Sequence, residues 1–209
     1  MSGSRFITLE GIEGAGKSTV ARTLGDELRR RGGEVLLTRE PGGTPLAEAI
    51  RGILLRRGTE ELSAVAETLL MFAARAVHLD NAIRPALAAG KWVICDRYTD
   101  ASYAYQGAAR GVEQALIDRL AAAVHADIWP TRTLLLDLPV TEGLARARRR
   151  GGPADRFEDE HQEFFERVRA AYLARASADP QRFRVLDARA DEPKLAAAAL
   201  AAIADLLPA

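Results

Sequence analysis

Five short apolar runs divide the chain, at residues 6–9, 35–38, 92–95, 133–138 and 183–186, each rich in Val, Ile, Leu or Phe. Continuous runs of this length predict strands buried on both faces. Between them the period changes: Val20, Leu24 and Leu28 recur at steps of four until Gly32 and Gly33 stop the pattern, and residues 62–89 carry a second helical stretch. Strand and helix alternate. The pattern therefore predicts an α/β fold of three layers, a five-stranded parallel sheet flanked by helices on both faces, with ligands bound beyond the carboxyl ends of the strands.

Polar residues gather where that rule places the site. Residues 11–18 follow the first run, Arg39-Glu40-Pro41-Gly42-Gly43 the second and Asp96-Arg97 the third, so three strand ends face one crevice. A basic segment carries Arg148, Arg149 and Arg150 just ahead of Gly151, Gly152 and Pro153. Glycine and proline supply mobility and a break, and the segment reads as a short mobile lid over residues 146–157. No internal repeat or long linker divides the chain, so residues 1–209 are read as one domain.

Composition narrows the function classes. With 48% hydrophobic and 28% charged residues the chain is that of a folded globular protein. Its 29 basic and 29 acidic side chains cancel. Without a global field, neither nucleic acid nor an anionic membrane is expected as a partner, and any bound anion needs a local cluster. The longest apolar stretch, residues 195–204, is too short to cross a bilayer and runs into Asp205. Residues 1–5 show no basic region followed by an apolar one, and the single Cys95 cannot pair within the chain, so a cytoplasmic location is expected. Lys17, Lys91 and Lys194 are the only lysines, which makes each one a candidate for its own explanation.

Lys17 has one. Gly11-Ile12-Glu13-Gly14-Ala15-Gly16-Lys17-Ser18 matches G-x-x-x-x-G-K-[ST] at every fixed position, between a predicted strand and a predicted helix, with Thr19 continuing the helix. The glycines let successive amides turn inward on phosphate oxygens, and the helix adds its positive end. Lys17 would reach the β and γ oxygens of ATP, while the Ser18 hydroxyl would ligate Mg²⁺. Switches, motors and kinases share this loop, so it identifies the phosphate donor and leaves the acceptor open.

The acceptor emerges from an ordered series: Glu10-Gly11-Ile12-Glu13-Gly14-Ala15-Gly16-Lys17-Ser18, Arg39-Glu40-Pro41-Gly42-Gly43-Thr44, Phe72-Ala73-Ala74-Arg75, Asp96-Arg97-Tyr98 and Tyr105-Gln106-Gly107. Over essentially its full length the chain resembles the bacterial thymidylate kinase family. The resemblance implies transfer of phosphate from MgATP to dTMP, an arginine-bearing lid and a homodimer. It makes Arg97 a ligand of the monophosphate and of the transferring group, and Asp96 an organiser of water or Mg²⁺. It puts Glu13 near the sugar 3′-hydroxyl, and Glu40, Pro41, Ser102, Tyr105 and Gln106 around the acceptor.

Phe72 and Arg75 lie three apart on a predicted helix, so both are expected on one face, the ring stacking on a pyrimidine and the guanidinium donating to its carbonyl. A core position for Phe72, beside Leu69, Leu70 and Met71, is the competing reading. Some relatives carry a catalytic arginine at the loop position held here by Gly14, which directs attention to the lid, with Arg149 and Arg150 favoured over Arg148. A kinase for another small acceptor, and a nucleotide-operated switch, are the alternatives. The former conflicts with a pocket sized for thymine, and the latter leaves Arg75 and Asp96-Arg97 without a task.

Overall fold

The structure, a computed structural model, describes residues 5–56, 61–125, 127–150 and 160–207. Five strands, β1 (Phe6–Glu10), β2 (Val35–Arg39), β3 (Trp92–Asp96), β4 (Arg132–Asp137) and β5 (Phe183–Asp187), form one sheet in the order β2-β3-β1-β4-β5, every pair parallel. The expected α/β architecture is present. Each strand ends on a charged residue, Glu10, Arg39, Asp96, Asp137 or Asp187. Four of the apolar runs stop one residue short of these ends and the run at 133–138 passes over Asp137, but the ladder includes the charged ends, since Leu9 pairs with Asp96 and Arg39 with the same residue from the other side.

Helices α1 (Lys17–Arg30) and α9 (Glu192–Ala201) cover one face of the sheet. Their Val20, Leu24, Leu28, Leu195 and Ala199 pack on Ile7, Leu9, Leu134 and Leu136 from alternate positions of β1 and β4. The other face carries α3 (Ala64–His78), α4 (Arg84–Ala88), α5 (Thr99–Ser102), α6 (Gln114–His125) and α8 (Gln162–Ala178), while α2 (Pro45–Leu55) packs against α3 and α7 (Val140–Arg150) follows β4. Thr44, Ser63 and Asp191 cap α2, α3 and α9 through side-chain oxygens that accept backbone N–H bonds. None of the helices among the described residues is long and apolar enough to cross a membrane.

Residues 62–89, expected as one helical stretch, are interrupted. A π-helical turn at Leu79–Ile83 separates α3 from α4, and Pro85, which lacks an amide to donate, sits in the first turn of α4. A second π-helical turn, Tyr103–Ala109, continues from α5 and packs on α8. It carries Tyr105 and Gln106 to the crevice. The connection leaving β1 runs to one side of the sheet and that leaving β3 to the other, so the crevice opens between their carboxyl ends.

Candidate active site

The loop from Gly11 to Ser18 leaves β1 with Gly11, Gly14 and Gly16 at φ of 133°, 76° and 93°. A side chain at Gly11 would strike the Leu136 carbonyl, and one at Gly14 the Gly143 carbonyl. Gly16 caps α1 without a side-chain partner, and no acidic residue occupies the first turn of the helix, so its amide end is free to meet an anion. Lys17 Nζ donates to the carbonyls of Gly11 and Ile12 at 3.1 and 2.9 Å. Burial, and next Arg97, draw this ammonium down to about 8, against the pull of Asp96, Glu13 and Glu10. The side chains of Ile12 and Ala15 point into the core, and Thr19 lines the crevice.

Two cavities open from this loop. The first is lined by Gly16, Lys17, Ser18, Thr19, Asp96 and Arg146. The second is lined by Pro41, Leu55, Met71, Arg75, Ser102 and Gln106, with Tyr105 on its wall. Glu13, Glu40, Arg51 and Arg97 line both. In the first cavity Ser18 Oγ donates to Asp96 Oδ2 at 3.2 Å, and this pair of hard oxygen donors fits Mg²⁺.

Arg97 stands at the junction. Among the described residues it is the only non-glycine with positive φ, at 70°. Its Nη2 donates to Glu13 Oε1 at 2.7 Å and its Nη1 to the Gly11 carbonyl at 2.9 Å, while the guanidinium lies 4.8 Å from the Tyr105 ring centre. The Tyr105 hydroxyl donates to Glu13, 2.9 Å from each carboxylate oxygen. Glu13 is therefore gripped by a cation and a hydroxyl where the two cavities meet.

Arg75 is buried and fixed. Its Nε donates to Glu40 Oε2 at 2.6 Å, Nη1 to Ser102 Oγ at 3.1 Å and Nη2 to the Tyr98 carbonyl at 3.2 Å. A guanidinium has five N–H donors, so two remain for a ligand. The other Glu40 oxygen meets His78 Nδ1 at 3.1 Å, and His78 Nε2 meets Thr38 Oγ1 at 2.7 Å. Burial alone would raise the Glu40 carboxyl, but Arg75 and His78 hold it below the usual carboxylate range. Gln106 spends one amide donor on Glu67 Oε1, 2.7 Å away.

The structure places Phe72 away from both cavities. Its ring packs with Val112, Ile117 and Ala121, and it lines neither cavity. Each helical residue turns about 100° from the last, so the partner of Arg75 on the cavity side is Met71, four positions away, and Phe72 is carried toward α6. The Phe72 ring instead supports the Arg75 guanidinium from behind, 4.6 Å from ring centre to Cζ. Met71, Leu55 and Arg51 are cavity residues that no motif announced, while Arg146 is the first residue of the expected lid. The only signal for Met71 was its four-residue spacing from Arg75.

The lid arginines are placed in part. Helix α7 lies against Gly14 through Gly143, and Arg146 reaches the first cavity, its Nη1 donating to the Ala188 carbonyl at 2.8 Å. Arg149 is exposed. Neither Arg148 nor Arg149 lines either of these two cavities. Arg150 closes α7, and its side chain, with residues 151–157 of the expected lid, lies outside the described residues.

Comparison with known proteins agrees with this geometry. The family model described as thymidylate kinase matches residues 9–197. A thymidylate kinase of Pseudomonas savastanoi pv. phaseolicola is 58% identical over 183 residues, covering 88% of this chain and 87% of that one. One from Halorhodospira halophila is 52% identical over 204 residues, covering 97% and 95%. The solved thymidylate kinase of Ehrlichia chaffeensis superposes with a TM-score of 0.72 at 35% identity, covering 87% of this chain and 91% of that one. A nucleotide loop, a second pocket joined to it through Arg97 and similarity along nearly the whole chain converge on one conclusion: the chain belongs to the thymidylate kinase family.

Proposed function

We propose that this protein transfers the γ-phosphate of ATP to dTMP, giving dTDP and ADP for dTTP synthesis. The observation that carries the reading is the junction: Arg97 and Glu13 line both the phosphate-loop cavity and the second, partly apolar one. A switch needs one nucleotide site. A kinase needs two that meet where phosphoryl transfer occurs.

The donor triphosphate rests on the amides of residues 11–18 and on Lys17, and Ser18 and Asp96 would hold Mg²⁺ beside it. When bound, the metal neutralises charge on the β and γ oxygens. Arg97 bridges the γ-phosphate and the acceptor phosphate, an oxygen of dTMP attacks the γ-phosphorus, and the bond to the ADP oxygen breaks. Glu13 and Tyr105 face the deoxyribose. The thymine ring lies against Met71 and Leu55, while the two unspent donors of Arg75 meet its carbonyl edge, beside Ser102 and Gln106. Cytosine would turn an amino group toward those donors. Glu40 and Pro41 close the cavity.

The lid over residues 146–157 supplies the cation that arrives last. Positions 149 and 150 share the helical face of Arg146, and an arginine finger of this kind contributes on the order of 10³ to 10⁵ in rate. ATP, the donor, is a cytoplasmic metabolite, which supports a cytoplasmic location.

A second copy of this chain is the proposed protein partner. Leu46 and Ile53 of α2 and Val65 and Leu69 of α3 are 58, 51, 48 and 49% exposed, on two helices that pack side by side. Exposed apolar patches of this kind mark interfaces.

The test is an acceptor screen. With MgATP, purified protein should phosphorylate dTMP far faster than dCMP, dGMP or thymidine, and comparable rates on all four would overturn the assignment.

A further inference from the structure

Glu10 is the last residue of β1, is completely buried, and lines neither cavity. Its Oε1 accepts the backbone N–H of Tyr98 at 2.7 Å, and its Oε2 accepts the Tyr172 hydroxyl at 2.7 Å. Both bonds lead to Arg97. The Tyr98 amide belongs to the peptide that leaves Arg97, whose φ of 70° is one that side chains larger than glycine adopt only under constraint. The Tyr172 hydroxyl, having given its proton to Glu10, presents its lone pairs to Arg97 Nη1, 3.2 Å away. One carboxylate thus holds the backbone of Arg97 on one side and its guanidinium on the other.

We propose that Glu10 is a positioning residue for phosphoryl transfer, setting the backbone and side chain of Arg97 through the Tyr98 amide and the Tyr172 hydroxyl without touching either substrate. The inference rests on the reading of Arg97 as the bridge between the two phosphates. It gives α8 a part in the chemistry as well, because Tyr172 reaches the junction from that helix. Protonation of Oε2 would reverse the Tyr172 bond, so the ionised carboxylate is the form this arrangement uses. Burial, then the charge of Asp100, lift Glu10 to about 8, opposed by Tyr172, Arg97 and the Tyr98 amide.

The experiment compares Glu10→Gln, Tyr172→Phe and the double variant with wild type at about pH 8.5, where the carboxylate is largely ionised. Gln is nearly isosteric but turns a donor toward Tyr172, and Phe removes only the hydroxyl. Each single variant is expected to lose about tenfold or more in kcat, the scale of a hydrogen bond to a charged group, with KM for ATP within about twofold of wild type. The double variant is expected to be no worse than Glu10→Gln alone, because both substitutions break one chain of contacts. Wild-type kcat in a folded Glu10→Gln, or strictly multiplicative losses, would overturn the proposal. If Glu10→Gln does not fold, Tyr172→Phe decides: undiminished kcat means that Glu10 serves the fold alone. Failure of the parent reading is distinguishable, since wild type would then not phosphorylate dTMP at all.

Discussion

A carboxylate removed from water is costly in its charged form, and the fold must either pair it or shift its titration. Glu40 and Glu10 illustrate the two outcomes. Arg75 and His78 lie directly against Glu40 and keep it ionised, whereas Glu10 receives only a hydroxyl and an amide and is pushed up to about 8. In the unfolded chain Glu10 titrates near its ordinary value of 4.5. Between those two values the native state holds a proton that the unfolded state has released. The stabilising contribution is therefore complete below about pH 4.5 and lost as pH rises through about 8. Thermal melting of wild type and Glu10→Gln from about pH 5 to pH 9 should show the wild type losing ground to the variant as pH climbs. A constant difference across that range would mean that Glu10 titrates as an ordinary carboxyl.

At the scale of elements, the phosphate loop and α7 act as one unit. Gly14, at φ 76°, lies so close to the Gly143 carbonyl that even a methyl group collides with backbone. The loop therefore has no room for a side chain at that position. Gly14→Ala should cost about 3 kcal/mol, combining left-handed strain with overpacking, and should lower kcat by displacing α7. Gly32→Ala is the matched control, since Gly32 shares the positive φ, at 83°, but has open space around it. It should cost about 1 kcal/mol and leave kcat unchanged. Equal losses of stability in the two, by urea denaturation, would mean that contact with α7 contributes nothing.

The same scale shows what could be read in advance. The strands and the loop follow from local pattern, because a buried parallel strand and a glycine-rich turn each leave a signature within a few residues. Which side of α3 faces the ligand does not. Phe72 and Met71 differ by one position and both are apolar, so only the packing of α6 against Phe72 settles that Met71 faces the cavity. Arg51 and Tyr172 reach the crevice from α2 and α8, and nothing in their own neighbourhoods announces it.

For the whole molecule, α2 and α3 present two different faces. Their inner sides carry Arg51, Leu55, Met71 and Arg75 into the second cavity, while Leu46, Ile53, Val65 and Leu69 face outward. In the proposed dimer, pairing two copies across those outer faces would remove apolar surface worth roughly 25 cal/mol per Å². It would also stiffen the helices that shape the base pocket. Leu69→Glu places a charge within the proposed contact on a residue that is 49% exposed in one chain, so the chain itself should fold as before. Sedimentation equilibrium at micromolar concentration should give the mass of two chains for wild type and of one chain for Leu69→Glu. A wild type that sediments as a single chain would end the proposal. Kinetics then separate assembly from chemistry: if the dimer supports the acceptor pocket, the monomeric variant should show a raised KM for dTMP with KM for ATP unchanged, because the loop and α1 that hold ATP lie away from this face. Equal rises in both constants would point to damage spread through the fold, and unchanged constants in a monomer would show that each chain builds its acceptor site unaided.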